Sequence, residues 1–311
     1  MATDTPLPTN RPATIAFPTA RQGSDRLSDD HTSRSELPAF SVLMSVYKND
    51  QAEHVFAAIQ SVTVDQTHAP TEVVLVVDGP VDDDIRRVVR FWEVHPTANL
   101  QALWLDENVG LAKAMNLGLR LCRHDYVARM DSDDVCDERR FEEQFAFLVE
   151  HPEIALLGSF YVQYDSDLRH VVTDRKVPTD SHTVMSYARW RTPFNHVTAI
   201  FRRDAVESIG GYPDIDGHLE DWWIALRLLK RGHRIANLPA YHVKVRGDDA
   251  FIRRRGGWRY LQLEWSNLIA MSRDGLMSRR DVTTNLVMRS TVRLVPVWAR
   301  KHIYRAIRKV A

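Results

Sequence analysis

Only two cysteines occur in 311 residues, Cys122 and Cys136. Their spacing fits no zinc-binding pattern and a single pair cannot build a disulfide framework, so a reducing cytosol is the expected compartment. Net charge is equally scarce, since 41 lysines and arginines balance 41 aspartates and glutamates. A chain with no basic excess has no global attraction for nucleic acid, and none is expected as a partner. No apolar run approaches the roughly 18 residues that span a bilayer, and the N-terminus lacks the apolar stretch of a secretory leader. Any membrane contact is therefore expected to be peripheral. What remains is the composition of an ordinary globular protein, long enough for one large domain or two modest ones.

Residues 1–38 are rich in Thr, Pro, Ser, Asp and Arg, without periodicity. Such a segment cannot bury enough apolar area to offset its ordering entropy, so a disordered tail is expected there. From Phe40 the pattern changes. Phe40–Tyr47 is a near-continuous apolar run rich in β-formers, as in a strand buried on both faces. Helical spacing follows over about 51–67, then a second strand from Glu72 that ends in Asp78-Gly-Pro. A helix over about 82–94 precedes a third strand, 100–105, which leads into Asn108-Val-Gly110 and another helix. A fourth short run, Tyr126–Met130, ends in Asp131, Asp133 and Asp134. This alternation predicts an open, largely parallel α/β sheet covered by helices. Such sheets bind ligands beyond the carboxyl ends of their strands, where Tyr47, Asp78, Asn108 and Asp131 all fall.

Three carboxylates within four residues repel one another, and a divalent cation taking oxygen ligands relieves that repulsion. Magnesium or manganese so held commonly shares its shell with substrate phosphates. The plainer alternative is a polar loop before a helix starting near Glu138, with Asp137 as its N-cap. Asp78-Gly-Pro could likewise be only a turn, and Asn108 only a helix cap. An EF-hand loop is excluded, because the sixth position is Cys136 rather than glycine. Further on, 154–164 reads as a strand, 165–180 as a loop or short hairpin, 180–190 as a helix and 194–202 as strand-like. Leu219-Glu-Asp-Trp-Trp223 opens a helix. Carboxylates in a first helical turn are favoured by the dipole alone, yet apolar walls also raise a carboxyl pKa and improve it as a general base. Past Tyr241 the chain turns basic. From Leu276 to the end, Asp281 is the sole acid among many arginines and lysines, interleaved with apolar residues including Trp298. That pattern suits either an anionic membrane surface or a helix packed on the back of the domain.

The chain resembles the family 2 glycosyltransferases of GT-A fold over roughly 40–255, and among them bacterial enzymes of exopolysaccharide, capsule or O-antigen assembly. The likeness is carried by Ser-Val-Leu-Met-Ser-Val-Tyr-Lys at 41–48, Val-Val-Asp-Gly-Pro at 76–80 and Asn-Val-Gly-Leu-Ala-Lys-Ala-Met-Asn-Leu-Gly at 108–118. Ala-Arg-Met-Asp-Ser-Asp-Asp at 128–134, Asn-His-Val-Thr-Ala-Ile-Phe at 195–201 and Leu-Glu-Asp-Trp-Trp at 219–223 complete it. Ser45 stands where many relatives carry proline.

That resemblance implies a domain at 39–255 followed by a basic helical segment, 256–311. It implies that Val46, Tyr47, Asp78, Asn108, Gly110, Lys113, Asp131 and Ser132 bind a nucleotide sugar, with UDP the expected nucleotide. Asp131 and Asp133 would hold Mn2+ or Mg2+, with His242 as a further candidate ligand. Asp221 would be the catalytic base of an inverting transfer, and His196, Glu220, Trp222, Arg246 and Arg253 would serve the acceptor or its diphosphate. Expected partners are the nucleotide-sugar donor, a glycan or lipid-linked acceptor, and the inner face of the cell membrane. Two other readings compete: a haloacid-dehalogenase-like phosphatase using Asp131 as nucleophile, and a nucleotide-sugar-binding protein without turnover. In the phosphatase fold the acidic loop normally follows the first core strand, whereas three β-α units precede it here.

Overall fold

A computed structural model describes residues 37–215, 219–247 and 257–294. The expected tail, Arg253 and the last 17 residues lie outside this range. The first half alternates as the sequence predicts: β1 (Phe40–Val46), α1 (Ala52–Val62), β2 (Glu72–Val77), α2 (Asp83–Glu93), β3 (Leu100–Trp104), α3 (Leu111–Leu119) and β4 (Tyr126–Arg129). These strands pair in parallel in the order β3-β2-β1-β4. Every residue of β2 is buried, as is nearly all of β1, which explains why both read as unbroken apolar runs. The polar exceptions pair with each other. Ser41 donates to Glu72 at 2.6 Å, and Glu72 also accepts from the Arg123 backbone and guanidinium at 2.6 and 2.7 Å. That carboxylate ties β1, β2 and the turn into β4 together.

The second half is mixed. It comprises β5 (Val135–Cys136), α4 (Arg140–Glu150), β6 (Ile154–Tyr164), β7 (Val171–Arg175), α5 (Ser181–Ala188), a 3-10 turn (His196–Thr198), β8 (Ile200–Arg202), α6 (Arg203–Ser208), α7 (Glu220–Lys230) and β9 (Arg234–Arg246). β8 pairs antiparallel to β4 and β6, β9 runs parallel to β6, and β7 folds back on β6 as a hairpin. The strand expected over 194–202 is confined to its last three residues, β8, with a 3-10 turn ahead of it, because Thr198 and Ala199 donate back to Asn195 and His196 at 3.0 and 3.1 Å. Asp137 does not cap α4. Its side chain accepts from Arg139 at 3.0 Å, and the helix begins one residue later.

Two further helices, α8 (Trp258–Arg273) and α9 (Arg279–Leu294), pack on α7. Trp222, Trp223, Leu226, Leu268, Met271, Met277 and Val282 form their shared core. Arg189 pairs with Asp281 at 2.7 Å, and Arg289 pairs with Glu264 at 2.7 Å. This stretch of the basic segment is therefore docked on the domain, with Val287 and Met288 left facing outward. Trp298 and the residues after it, which carried much of the membrane expectation, lie outside the described residues.

Helix α3 lies close on the sheet because Gly118 has no side chain: a Cβ there would strike Leu43 and come within 2.8 Å of Val76. Gly118→Val is expected to destabilise the fold by roughly 1–3 kcal/mol, the cost of overpacking a filled core, read from the urea unfolding midpoint.

Candidate active site

The sheet order reverses between β1 and β4, since β2 and β3 build outward on one side and β8 and β6 on the other. A crevice at such a reversal lies beyond the carboxyl ends of the two central strands. Two segments meet across it. After β1, Asp50 accepts from the Tyr47 backbone at 3.0 Å, and Ser132, from the loop after β4, donates to Asp50 at 2.8 Å. Tyr47 is left exposed at the rim.

In that loop, Asp131, Asp133 and Asp134 offer carboxylate oxygens within 4.8 Å of one another. Burial, and then the charges of Asp131 and Asp50, push Asp133 up to about 7. Asp134 is buried and pushed well above the usual carboxylate range, by burial and then by its two acidic neighbours. The chain tolerates this because cations fix the loop from below. Arg129 pairs with Asp131. Arg246 donates its backbone N–H to Asp134 at 2.8 Å and its Nε to the Asp133 carbonyl at 2.6 Å. Arg140, fully buried, donates to the Arg129 carbonyl at 2.9 Å. Three hard oxygen donors at this spacing fit a divalent cation, which would replace the protons that burial otherwise retains.

On the β2 side, Asp78 organises the turn ahead of α3. Its carboxylate accepts from the Val109 and Gly110 backbones at 2.7 and 3.0 Å and from the Asn108 amide at 3.0 Å. Asp78, Asn108 and Gly110 are therefore brought together as expected, with Asp78 holding the turn. Gly79, at φ 85°, allows this approach, because a Cβ would lie 2.6 Å from the Asn108 nitrogen. Lys113 sits on the next turn and pairs with Asp214 at 3.3 Å.

The far wall comes from α7. Glu220 is buried and pushed up to about 7, first by burial and then by Asp221, with Asp131 adding and Arg129 opposing. Asp221 accepts from the Trp222 backbone at 2.7 Å, which leaves its second oxygen without a hydrogen-bond partner among the described residues. His196 meets the Tyr212 hydroxyl at 3.0 Å, and burial, reinforced by Arg129, holds its pKa well below the ordinary value. It is therefore a neutral imidazole at neutral pH. Asn116 clasps the turn that carries Tyr212, accepting from the Tyr212 N–H and donating to its carbonyl, each at 2.8 Å. Gly211, at φ 73°, leaves room for that clasp.

Three expected site residues are placed elsewhere. His242 is buried on β9 with Nε2 at 3.0 Å from Glu143 of α4, and it does not join the carboxylate cluster. Its aromatic ring completes a helix–strand contact instead. Trp222 is fully buried, with Nε1 donating to the Ala188 carbonyl at 2.7 Å, so it anchors α7 and presents no surface to an acceptor. Arg246 spends its guanidinium on the carbonyls of Asp133 and Ser166, supporting the acidic loop. Conversely, Asp50, Arg129, Asn116 and Tyr212 belong to the site without having been singled out. An arginine inside the buried strand β4 was the visible signal for Arg129, and a carboxylate three residues beyond Tyr47 was the signal for Asp50.

With this geometry in place, comparison with known proteins is informative. Residues 41–210 match the profile of "Glycosyl transferase family 2" and residues 126–303 that of "Glycosyl transferase family group 2". The amylovoran biosynthesis glycosyltransferase AmsE of Erwinia amylovora is 35% identical over 87% of this chain and 99% of its own length. An Escherichia coli UDP-Gal:alpha-D-GlcNAc-diphosphoundecaprenol beta-1,3-galactosyltransferase is 31% identical over 88% of this chain and 97% of its own. Among solved structures, the mannosyltransferase PcManGT of Pyrobaculum calidifontis, in complex with GDP-Man and Mn2+, superposes with a TM-score of 0.57. That match is at 20% identity and covers 87% of this chain and 80% of that one. S. aureus TarS 1-349 in complex with UDP-GlcNAc gives 0.57 at 18% identity, over 74% of this chain and 66% of that one. These structural matches support the GT-A architecture.

The raised Glu220 carboxyl makes stability depend on pH. Its folded pKa of about 7 exceeds the unfolded value, so the stability it contributes is present below about 4.5 and is lost as pH rises toward 7. In EDTA, the wild type is expected to lose on the order of 2 kcal/mol relative to Glu220→Gln between about pH 4.5 and 7.5, measured by denaturant titration across that range.

Proposed function

Because the chain belongs to glycosyl transferase family 2, we propose that it is a metal-dependent, inverting transferase that takes its sugar from a UDP-sugar. The acceptor is a glycan or polyprenyl-diphosphate-linked sugar of surface-polysaccharide synthesis. The observation that carries this reading is the carboxylate cluster at the β1/β4 reversal, with buried Arg129 paired to its Asp131 and acting also on Glu220 at the start of α7. The full-length relatives named for amylovoran and for a diphosphoundecaprenol-linked acceptor support the pathway and the acceptor class.

Asp131, Asp133 and Asp134 would hold Mn2+ or Mg2+, which supplies positive charge to the departing diphosphate. Tyr47, with Val46 beneath it, and the Asp78–Gly110 turn flank the nucleotide, and Lys113 borders it. The free oxygen of Asp221 takes the proton of the acceptor hydroxyl. As the acceptor's hydroxyl oxygen, thus freed of its proton, bonds to the anomeric carbon from one face, the carbon–oxygen bond to the diphosphate breaks on the other, which inverts the configuration. Glu220, whose carboxyl burial and Asp221 push up to about 7, is partly protonated near neutrality, which lessens the second negative charge beside the base. Arg129 balances the acids on both sides of the reacting sugar, and neutral His196 fixes Tyr212 at the acceptor wall. The outward apolar residues of α9, beside Arg279 and Arg280, support seating at the inner face of the cell membrane.

Asp221→Asn is expected to lower transfer at least 10³-fold, within the range for loss of a catalytic base, while UDP affinity measured by calorimetry changes less than twofold. Asp133→Ala is expected to lose the manganese-dependent part of donor binding, seen as equal heats with and without Mn2+. Undiminished turnover by Asp221→Asn would remove it from the role of base, and absence of both transfer and donor hydrolysis in the wild type would favour a binding protein.

A further inference from the structure

With Arg246 occupied beneath the acidic loop, the acceptor side still contains two arginines that form no salt bridge among the described residues. Arg175 ends β7 and Arg191 follows α5, and both are partly buried. Among the described residues neither has a carboxylate within ion-pair distance, although Arg189 pairs with Asp281 and Arg289 with Glu264 nearby. Arg191 donates to the Tyr187 hydroxyl at 2.9 Å and lies over its ring, 5.3 Å from the centroid. Arg175 makes a long bond to the Thr192 carbonyl, at 3.4 Å, and a side-chain bond to Tyr161, which sits opposite it in the β6–β7 register. Each therefore has N–H donors to spare.

Their position relative to the proposed base is fixed by one bond. Trp222 donates its indole N–H to the Ala188 carbonyl at 2.7 Å, which clamps the end of α5 to the first turn of α7. Tyr187 precedes that carbonyl and Asp221 precedes that tryptophan. Arg175 lies within electrostatic reach of Asp221 and Tyr187, and Arg191 within reach of Arg175. Asp221 gives Arg175 one neighbouring anion, whereas Arg191 is opposed by the charges of Arg175 and Arg289. Cations kept half out of water are costly unless a further anion completes them.

We propose that Arg175 and Arg191, with the Tyr187 hydroxyl that Arg191 bonds, form the subsite that grips the diphosphate of a lipid-linked acceptor. This rests on the transferase reading above and names the group through which its acceptor is recognised. Guanidinium forks suit phosphate oxygens bidentately. A diphosphate on the anomeric carbon of the acceptor sugar would be held here while a ring hydroxyl of that sugar faces Asp221.

The test compares a short-chain alkyl α-N-acetylglucosaminyl diphosphate with the matching alkyl glycoside that lacks phosphate. Binding is measured by calorimetry in EDTA, so that no cation holds the diphosphate at the acidic cluster. The wild type is expected to bind the diphosphate at least tenfold more tightly than the glycoside. Arg175→Met and Arg191→Met together should abolish that preference, leave glycoside binding as it was, and leave UDP binding with Mn2+ within twofold. Lysine at both positions should retain part of the preference. A diphosphate preference that survives in the double Met variant would overturn the proposal. So would loss of diphosphate and UDP binding together in both the Met and Lys variants. No turnover is involved, so a wild type that binds the diphosphate but transfers no sugar would count against the proposed function and not against this subsite.

Discussion

Repulsion among the carboxylates at the end of β4 is the constraint around which the rest is arranged. Two unit charges about 4 Å apart in a partly buried site repel by roughly 4 kcal/mol, and here three such groups share one turn. The protein does not neutralise them all. It spends one guanidinium, that of Arg129, on Asp131, and uses Arg140 and Arg246 to hold the backbone in place. The loop is thus prevented from relaxing away from its own charge, and Asp133 and Asp134 respond by favouring the protonated form. A divalent ion satisfies the same requirement without a proton, which is how a structural liability becomes an ion site.

The two halves of the sheet divide the work. The parallel half positions the turns after β1, β2 and β4, and Asp78 locks the glycine-containing turn ahead of α3. The mixed half brings α7 to the opposite wall. Asn116, part of α3, reaches across to hold the Tyr212 turn, so the two halves cannot shift independently. The C-terminal helices matter for the same reason. By burying Trp222 and Trp223 they fix the first turn of α7, and with it the orientation of Asp221.

Much of this was legible in the chain. Continuous apolar runs marked β1, β2 and β4, as strands buried on both faces require, and an acid closed the second and the fourth of the chain's first four runs. The rule that ligands sit beyond the carboxyl ends of the strands groups Tyr47, Asp78, Asn108 and Asp131 from the sequence alone. The readings that changed each depended on a partner distant in sequence. Trp222 beside two acids looked like an acceptor wall, but the helices that cover it come 36 and more residues later. The resemblance offered His242 as a metal ligand, and the partner it has instead, Glu143, lies 99 residues away in the chain. The first part of the strand expected over 194–202 gave way to a turn whose bonds to β6, through Thr198 and Ser159, periodicity cannot reveal. Arg129 and Asp50 were passed over because one sat inside an apolar run and the other in an unremarked loop, although both carry charge at the crevice.

The central claim is that the cluster after β4 is a cation site shared with the donor diphosphate. It is tested most directly by anomalous diffraction from crystals soaked with Mn2+ and UDP. The account predicts one manganese peak among the carboxylates of Asp131, Asp133 and Asp134, in contact with the diphosphate of UDP. A nucleotide bound in the crevice with no metal among those three side chains, or manganese seated instead on His242 and Glu143, would contradict it.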